Sequence, residues 1–281
     1  MTQVFTTLID NKTLAHHLDA INWIIVDCSY DLTDKNAGRN SYIKSHIKSA
    51  VFADVHDDLS GPPVTDHGRH PLPSEEALNG LFSRLGINHD SQVIVYDNAC
   101  ACFAGRLWWM LRYMGHEAVA VLDGGWQRWE EAGLSVISGD ESNMNTDFHG
   151  KANSDWLVTV DDVPAAELLI DSRAPERYMG QCEPLDKAAG HIPGAINRFW
   201  KNNLDSDGFF KNSDQLRKEF EHGFGVTDVR NTVFYCGSGV TACHNLLAVA
   251  HAGLDAPRLY AGSWSDWCSD PERPVATGKN H

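Results

Sequence analysis

Cys236 closes the apolar run Val233-Phe-Tyr-Cys236 and is followed by Gly237-Ser238-Gly239-Val240-Thr241, then by the helical-looking segment Ala-Cys-His-Asn-Leu-Leu-Ala-Val-Ala. A strand, a glycine-rich loop and a helix start make a cradle for an anion. Gly237 and Gly239 permit positive φ and carry no side chain, so successive N–H groups can converge on one point. The helix N-terminus adds about half a positive charge. Dipoles converging there favour anionic sulfur, the nucleophilic form of cysteine. The loop also excludes other chemistries. A cysteine phosphatase needs an arginine six residues after the cysteine, and that position is Ala242. The Gly-Lys-Ser/Thr of a nucleotide P-loop is absent. His244 lies eight positions on, about 12 Å along a helix, too far to serve as a protease-type base. What remains is sulfur chemistry: a thiolate attacks electrophilic sulfur and carries it as a persulfide.

The six other cysteines have weaker contexts. Cys28, Cys182 and Cys268 read as packing or surface residues, and Cys243 faces the core from the helix. Cys100 and Cys102 follow Tyr96-Asp97, the equivalent strand end of the first half, but lack the glycines expected to let a backbone cradle close.

The elements that must position this loop occur twice. Trp23-Ile-Ile-Val-Asp27, His46-Ile-Lys-Ser-Ala-Val51, Val93-Ile-Val-Tyr-Asp97 and Val119-Ala-Val-Leu-Asp-Gly-Gly-Trp126 fill the first half. Leu168-Leu-Ile-Asp171, His191-Ile-Pro-Gly-Ala-Ile196, Val233-Phe-Tyr-Cys236 and Arg258-Leu-Tyr-Ala-Gly-Ser-Trp264 fill the second. Matching order and spacing mean two copies of one fold, with a period too long for a solenoid. Apolar runs without alternation suit strands buried on both faces. Between them, Ser74-Glu-Glu-Ala-Leu through Gly86 has the cap and acidic first turn of a helix, Gly105 to Met114 ends before Gly115, and Ser213 to Phe220 has the same capped look. The expected class is therefore α/β, a parallel sheet flanked by helices in each half. Residues 138–156 are polar and aperiodic. The expected division is a first domain over 1–139, a linker over 140–156 and a second domain over 157–281.

Composition narrows the partners. With 23 Lys+Arg against 38 Asp+Glu, the formal charge of −15 repels nucleic acid and anionic lipid. No apolar run is long enough to span a membrane, and the amino terminus lacks the pattern of a secretory signal. Seven cysteines, without a CxxC pair, fit neither a disulfide scaffold nor structural zinc, so a reducing, cytoplasmic setting is expected.

Asp171-Ser-Arg, Arg177-Tyr-x-Gly, His191-Ile-Pro-Gly-Ala, Cys236-Gly-Ser-Gly-Val-Thr and Gly262-Ser-Trp-Ser-Asp-Trp, in that order, resemble the two-domain rhodanese-superfamily sulfurtransferases. The resemblance covers nearly the whole chain. It implies two tandem rhodanese-like domains, the first catalytically silent because Asp97 stands where the second has Cys236. It implies Cys236 as the catalytic residue, and substrate binding by Arg177 together with Gly237, Ser238, Gly239, Val240 and Thr241. Neither a metal nor an organic cofactor is expected.

The loop is similar to that of the branch using 3-mercaptopyruvate, whereas the branch using thiosulfate has two cations there. Two departures keep thiosulfate:cyanide transfer as the alternative. The second arginine of the mercaptopyruvate branch falls here on Leu185 or Asp186, with Lys187 the nearest cation. The Asp and His that the branch supplies from the first half correspond to the neighbourhood of His56, Asp57 and Asp58 and to His67 or His70; the roles of these histidines are left open. Arg173 is equally suited to structure, and Arg198 is a weaker candidate. The expected acceptors are a thiol, such as thioredoxin or a low-molecular-weight thiol, or cyanide.

Overall fold

The computed structural model describes residues 3–62, 68–224, 231–255 and 257–279. The chain forms two compact units. One comprises Met1–Ser60 and Pro73–Asn153, the other Gly61–Leu72 and Ser154–His281.

In the first unit the runs rich in β-branched residues become strands. The sheet order is Leu8–Ile9, Val119–Leu122, Gln92–Tyr96, Trp23–Asp27, Ala50–Phe52, with every neighbouring pair parallel. Ile25, Ile94 and Ala120 from this sheet pack with Leu14 and Trp129 in one buried cluster. Helices cover the sheet, among them Glu75–Arg84 and Ala104–Tyr113. The first of these begins because the Ser74 hydroxyl accepts the Ala77 N–H, with Glu75 and Glu76 at the positive end of its dipole. The polar stretch after Ile137 adds no regular strand or helix before Ser154. It lies along the first unit through bonds from Asn143 Nδ2 to Leu85 O and from Thr146 N–H to Ser83 O, with Phe148 buried edge-on against Phe82.

The second unit repeats the plan. Its sheet order is Ile196–Asn197, Leu168–Asp171, Thr232–Tyr235, Arg258–Tyr260, Leu157–Val158, again all parallel. The flanking helices include Ser213–Phe224, Ala242–His251 and Ser263–Trp267. The repetition extends to single bonds. His46 Nδ1 meets Tyr42 O at 2.7 Å, and His191 Nδ1 meets Tyr178 O at 2.8 Å. Each imidazole stacks on its tyrosine, with centroids 4.0 and 3.8 Å apart. Both tyrosine hydroxyls donate to a backbone carbonyl, Ala50 or Ala195. These histidines brace the fold beside each central strand.

A candidate active site at the carboxyl end of the central strand

Cys236 is the first residue beyond the strand Thr232–Tyr235, where an open parallel sheet presents its ligands. Its backbone is pinned on both sides. The Cys236 N–H donates to Ser263 Oγ at 3.1 Å, and the Trp264 N–H donates to Cys236 O at 3.0 Å. The Ser265 N–H donates to Gly237 O at 2.9 Å. The short helix Ser263–Trp267 thus locks the start of the loop. Gly239 adopts φ +75°, and a Cβ there would lie 2.3 Å from Ala261 O, so this turn admits only glycine. Cys236 is 1% exposed and Ser238 7%.

The second glycine has a different reason. A Cβ on Gly237 would stand 2.9 Å from a terminal nitrogen of Arg69 and 3.4 Å from both terminal nitrogens of Arg177. Two guanidinium groups therefore rest against the loop. Arg177 donates through Nε and NH2 to Glu183 at 3.1 and 2.6 Å, and through NH2 to Asp186 Oδ2 at 3.1 Å. Arg69 grips the same Asp186 with Nε at 2.7 Å and NH2 at 3.2 Å. Both carboxylates are almost fully buried, at 2% and 3% side-chain exposure for Asp186 and Glu183. Burial works against the Arg69 cation, but the bond to Asp186 and its charge outweigh burial and raise its pKa. Burial likewise pushes the Glu183 carboxyl up, yet the hydrogen bond and charge of Arg177, with Arg173 adding to them, hold it below the usual range. Planar forks held by carboxylates in this way are fixed in direction and still hold N–H donors suited to an oxyanion.

Of the side chains singled out in the sequence, the structure brings Arg177, Ser238 and His70 to the Cys236 loop. Arg177 reaches the Cys236 loop. Ser238 meets His70, with Nδ1 2.8 Å from Oγ. His56 is exposed on the first unit, its N–H turned to Asp54 Oδ1. His67 lies outside the described residues. Arg173 is structural: it pairs with Asp171 at 2.6 Å, donates to Gly190 O and lies over the Trp264 ring. Arg198 binds Asn203 and Glu219 and covers Phe220. His244 is buried, stacked on Phe210 and bonded to Asn203. Cys243 is also buried, its thiol donating to Gly239 O.

Arg69 was missed by the sequence reading. It sits in Asp-His-Gly-Arg-His-Pro-Leu-Pro, between the candidates His67 and His70. This segment belongs to the second unit by its contacts, closed by the bond from Gly61 N–H to Pro71 O and held by the bond from Arg69 N–H to Ser265 Oγ. The signal was an arginine flanked by glycine and histidine in a stretch without helix or strand periodicity.

One expectation is corrected. The loop after Asp97 does form a cradle, without glycine: Cys100 and Ala101 take φ +54° and +69°. The N–H groups of Ala99, Ala101, Phe103 and Ala104 converge on the Asp97 carboxylate at 2.7–2.9 Å. Four charge-assisted bonds offset a left-handed cost of roughly 1–2 kcal/mol per residue.

Two parallel sheets of one topology, each with a loop after its central strand that leads into a helix, define a tandem α/β protein with one cysteine-centred loop. The rhodanese-like domain model matches residues 10–132 and 155–270, and the chain belongs to that family. A protein of Pseudomonas aeruginosa named a probable 3-mercaptopyruvate sulfurtransferase is 42% identical over 96% of this chain and 98% of its own. The thiosulfate sulfurtransferase of Bos taurus is 34% identical over 91% of this chain and 89% of its own. The solved 3-mercaptopyruvate sulfurtransferase from Leishmania major superposes with a TM-score of 0.83 at 34% identity, covering 92% of this chain and 73% of that one. Among the described residues, no helix is long and apolar enough to cross a membrane.

Proposed function

We propose that the chain is a sulfurtransferase in which Cys236 takes sulfur from 3-mercaptopyruvate and passes it on. The Cys236 thiolate attacks the donor sulfur and the donor's carbon–sulfur bond breaks. The electron pair leaves on carbon as the enolate of pyruvate, which is then protonated. The new persulfide lies among the N–H groups of residues 237–241. An acceptor thiolate or cyanide attacks the outer sulfur and releases the Cys236 thiolate. The carboxylate of the donor is received by Arg177 and Arg69, and the Ser238–His70 pair handles the proton that reaches the enolate.

The observation that carries this reading is the pairing of an uncharged Cys-Gly-Ser-Gly loop with two guanidinium groups against Gly237. The loop accommodates a neutral thiol end, and the arginines suit an α-keto carboxylate. The similarity to named 3-mercaptopyruvate sulfurtransferases supports it. Thiosulfate is the second reading, favoured by Asp186 where a further arginine was expected and by the likeness to the bovine enzyme. The first unit, with Asp97 filling its loop, takes no part in the transfer. Residues 140–156 act as the joint between the two domains. A cytoplasmic setting and a thioredoxin-like or small thiol acceptor complete the proposal.

Steady-state turnover of both donors with cyanide as acceptor, with Cys236→Ala alongside, tests it. Preference for 3-mercaptopyruvate and loss of turnover in the variant are expected. Turnover by Cys236→Ala above trace would overturn the cysteine assignment, and preference for thiosulfate would overturn the donor.

A further inference from the structure

We infer that Ser265 is a positioning residue for the donor half of the reaction: its hydroxyl holds the segment Gly68-Arg69-His70 on the short helix that also holds the Cys236 loop. The inference rests on the sulfur transfer proposed at Cys236.

The helix Ser263–Trp267 makes two sets of bonds. To the loop, Ser263 Oγ accepts the Cys236 N–H, and the Trp264 and Ser265 N–H groups donate to Cys236 O and Gly237 O. To the segment, the Ser265 hydroxyl accepts the Arg69 N–H at 3.1 Å while donating to Gly262 O at 3.2 Å. Gly68 closes against the same turn. Its φ is +88°, and a Cβ there would lie 2.8 Å from Gly262 O and 3.2 Å from Ser265 Oγ. The next two side chains reach the site: Arg69 grips Asp186 and rests against Gly237, and His70 Nδ1 lies 2.8 Å from Ser238 Oγ. Ser265 therefore carries two links on one buried residue, its N–H to the nucleophile's loop and its hydroxyl to the segment bearing the arginine and the histidine. In the first unit the residue after the equivalent tryptophan, Trp126, is Gln127, which is exposed.

The two halves of the reaction need that segment unequally. In the donor half the Cys236 sulfur bonds the donor sulfur and the carbon–sulfur bond breaks. Its electron pair leaves as the enolate of pyruvate, which takes up the donor thiol's proton by way of the Ser238–His70 pair, while Arg69 helps hold the carboxylate. In the acceptor half a nucleophile attacks the outer sulfur and the sulfur–sulfur pair returns to Cys236. No carboxylate is held and no proton goes to carbon. Misplacement of reacting groups by roughly 1 Å costs up to about 100-fold in rate. Displacing the segment thus slows the first half and spares the second.

Ser265→Ala keeps the backbone bond to Gly237 O and removes the acceptor of the Arg69 N–H. Persulfide formation in a single turnover with 3-mercaptopyruvate, followed by intact-protein mass spectrometry, is expected to slow about tenfold. Persulfide-loaded protein freed of donor should release thiocyanate to cyanide within about twofold of the native rate. A residue serving stability alone would slow both halves together or neither. In an Arg69→Gln/His70→Asn background Ser265→Ala should slow the donor half no further, because the groups it positions are gone. Should Ser265→Ala fail to fold, Gly68→Ala puts the same question by driving a Cβ against Gly262 O, with an expected slowing of the donor half of about thirtyfold. Native-like persulfide formation, equal slowing of both halves, or an undiminished effect in the Arg69→Gln/His70→Asn background overturns the inference. Failure of the native protein to form a persulfide on Cys236 overturns the sulfur-transfer reading instead.

Discussion

The loops after the strands Gln92–Tyr96 and Thr232–Tyr235 are built alike and occupied differently. Each starts one residue beyond the central strand, and in each a tryptophan N–H returns to the first residue: Trp126 to Asp97 O at 2.9 Å, Trp264 to Cys236 O at 3.0 Å. In the first, a carboxylate of the chain itself sits among four N–H groups. In the second, that place belongs to a cysteine, and Gly239 takes the left-handed φ that Cys100 takes in the first. A nest filled by its own anion has nothing left to offer a ligand. The comparison teaches that one backbone device serves stability in one unit and, on the proposed reading, a negatively charged sulfur in the other.

The largest effect expected from breaking the comparison is at Cys236. Cys236→Asp converts the second loop toward the first. Turnover with either donor should fall at least 10,000-fold, roughly 5 kcal/mol of activation free energy, and no persulfide should appear by intact-protein mass spectrometry after exposure to donor. The urea midpoint should stay near native, because a carboxylate can accept the nest's N–H groups. Unfolding of this variant at a much lower urea concentration would mean that the two nests are not equivalent.

The reciprocal change is Asp97→Ala. Four buried N–H groups lose their acceptor while Cys100 and Ala101 keep their left-handed strain. Urea unfolding should show a loss of roughly 3–5 kcal/mol. Turnover per folded molecule should be close to native, since nothing proposed for the chemistry involves the first unit. A large drop in turnover with stability intact would assign the first nest a role in catalysis.

Much of this was legible in the sequence. Repeated apolar runs located the central strands to within a residue, and the order of landmarks gave the same parallel sheet twice. The Cys236 loop could be read because its chemistry is local: strand end, glycines and helix start are consecutive. Arg69 and the shared carboxylate of Asp186 could not, and His70 was one of two candidate histidines that the sequence alone did not separate. Arg69 reaches the loop by tertiary contact from far along the chain, and no periodicity announces it. The Asp97 cradle escaped for another reason. Tertiary bonds to a buried carboxylate overrode the local preference for glycine at positive φ.

A second difference between the units concerns the aspartates that end Trp23–Asp27 and Leu168–Asp171. Asp171 is paired with Arg173 two residues on, whereas the corresponding position after Asp27 is Ser29. Burial pushes the Asp27 carboxyl up to about 6, against hydrogen bonds from Ser29 and Tyr96. A carboxyl whose folded pKa exceeds its unfolded value of 3.8 adds stability below about pH 4 that is lost as pH rises through about 6. The full contribution is about 3 kcal/mol, at 1.36 kcal/mol per unit. Asp27→Asn should remove this slope. The native-minus-variant difference in unfolding free energy should change by up to about 3 kcal/mol between pH 4 and pH 7 and then level off. A difference that is flat with pH would mean that Asp27 is ionised throughout.

The smallest effect makes the comparison sharpest, because the first loop already contains the variant. Two residues beyond Asp97 the chain has Ala99; two beyond Cys236 it has Ser238, bonded to His70. Ser238→Ala thus imposes the silent loop's residue while leaving Cys236, both glycines and the arginines in place. If the hydroxyl carries the proton to the leaving enolate, kcat with 3-mercaptopyruvate should fall about tenfold, roughly 1.4 kcal/mol. Thiosulfate, whose leaving sulfite needs no proton at carbon, should be affected far less. The two donors therefore separate a proton relay from loop packing: equal losses with both would assign Ser238 to shaping the nest, and a loss confined to 3-mercaptopyruvate would assign it to the chemistry.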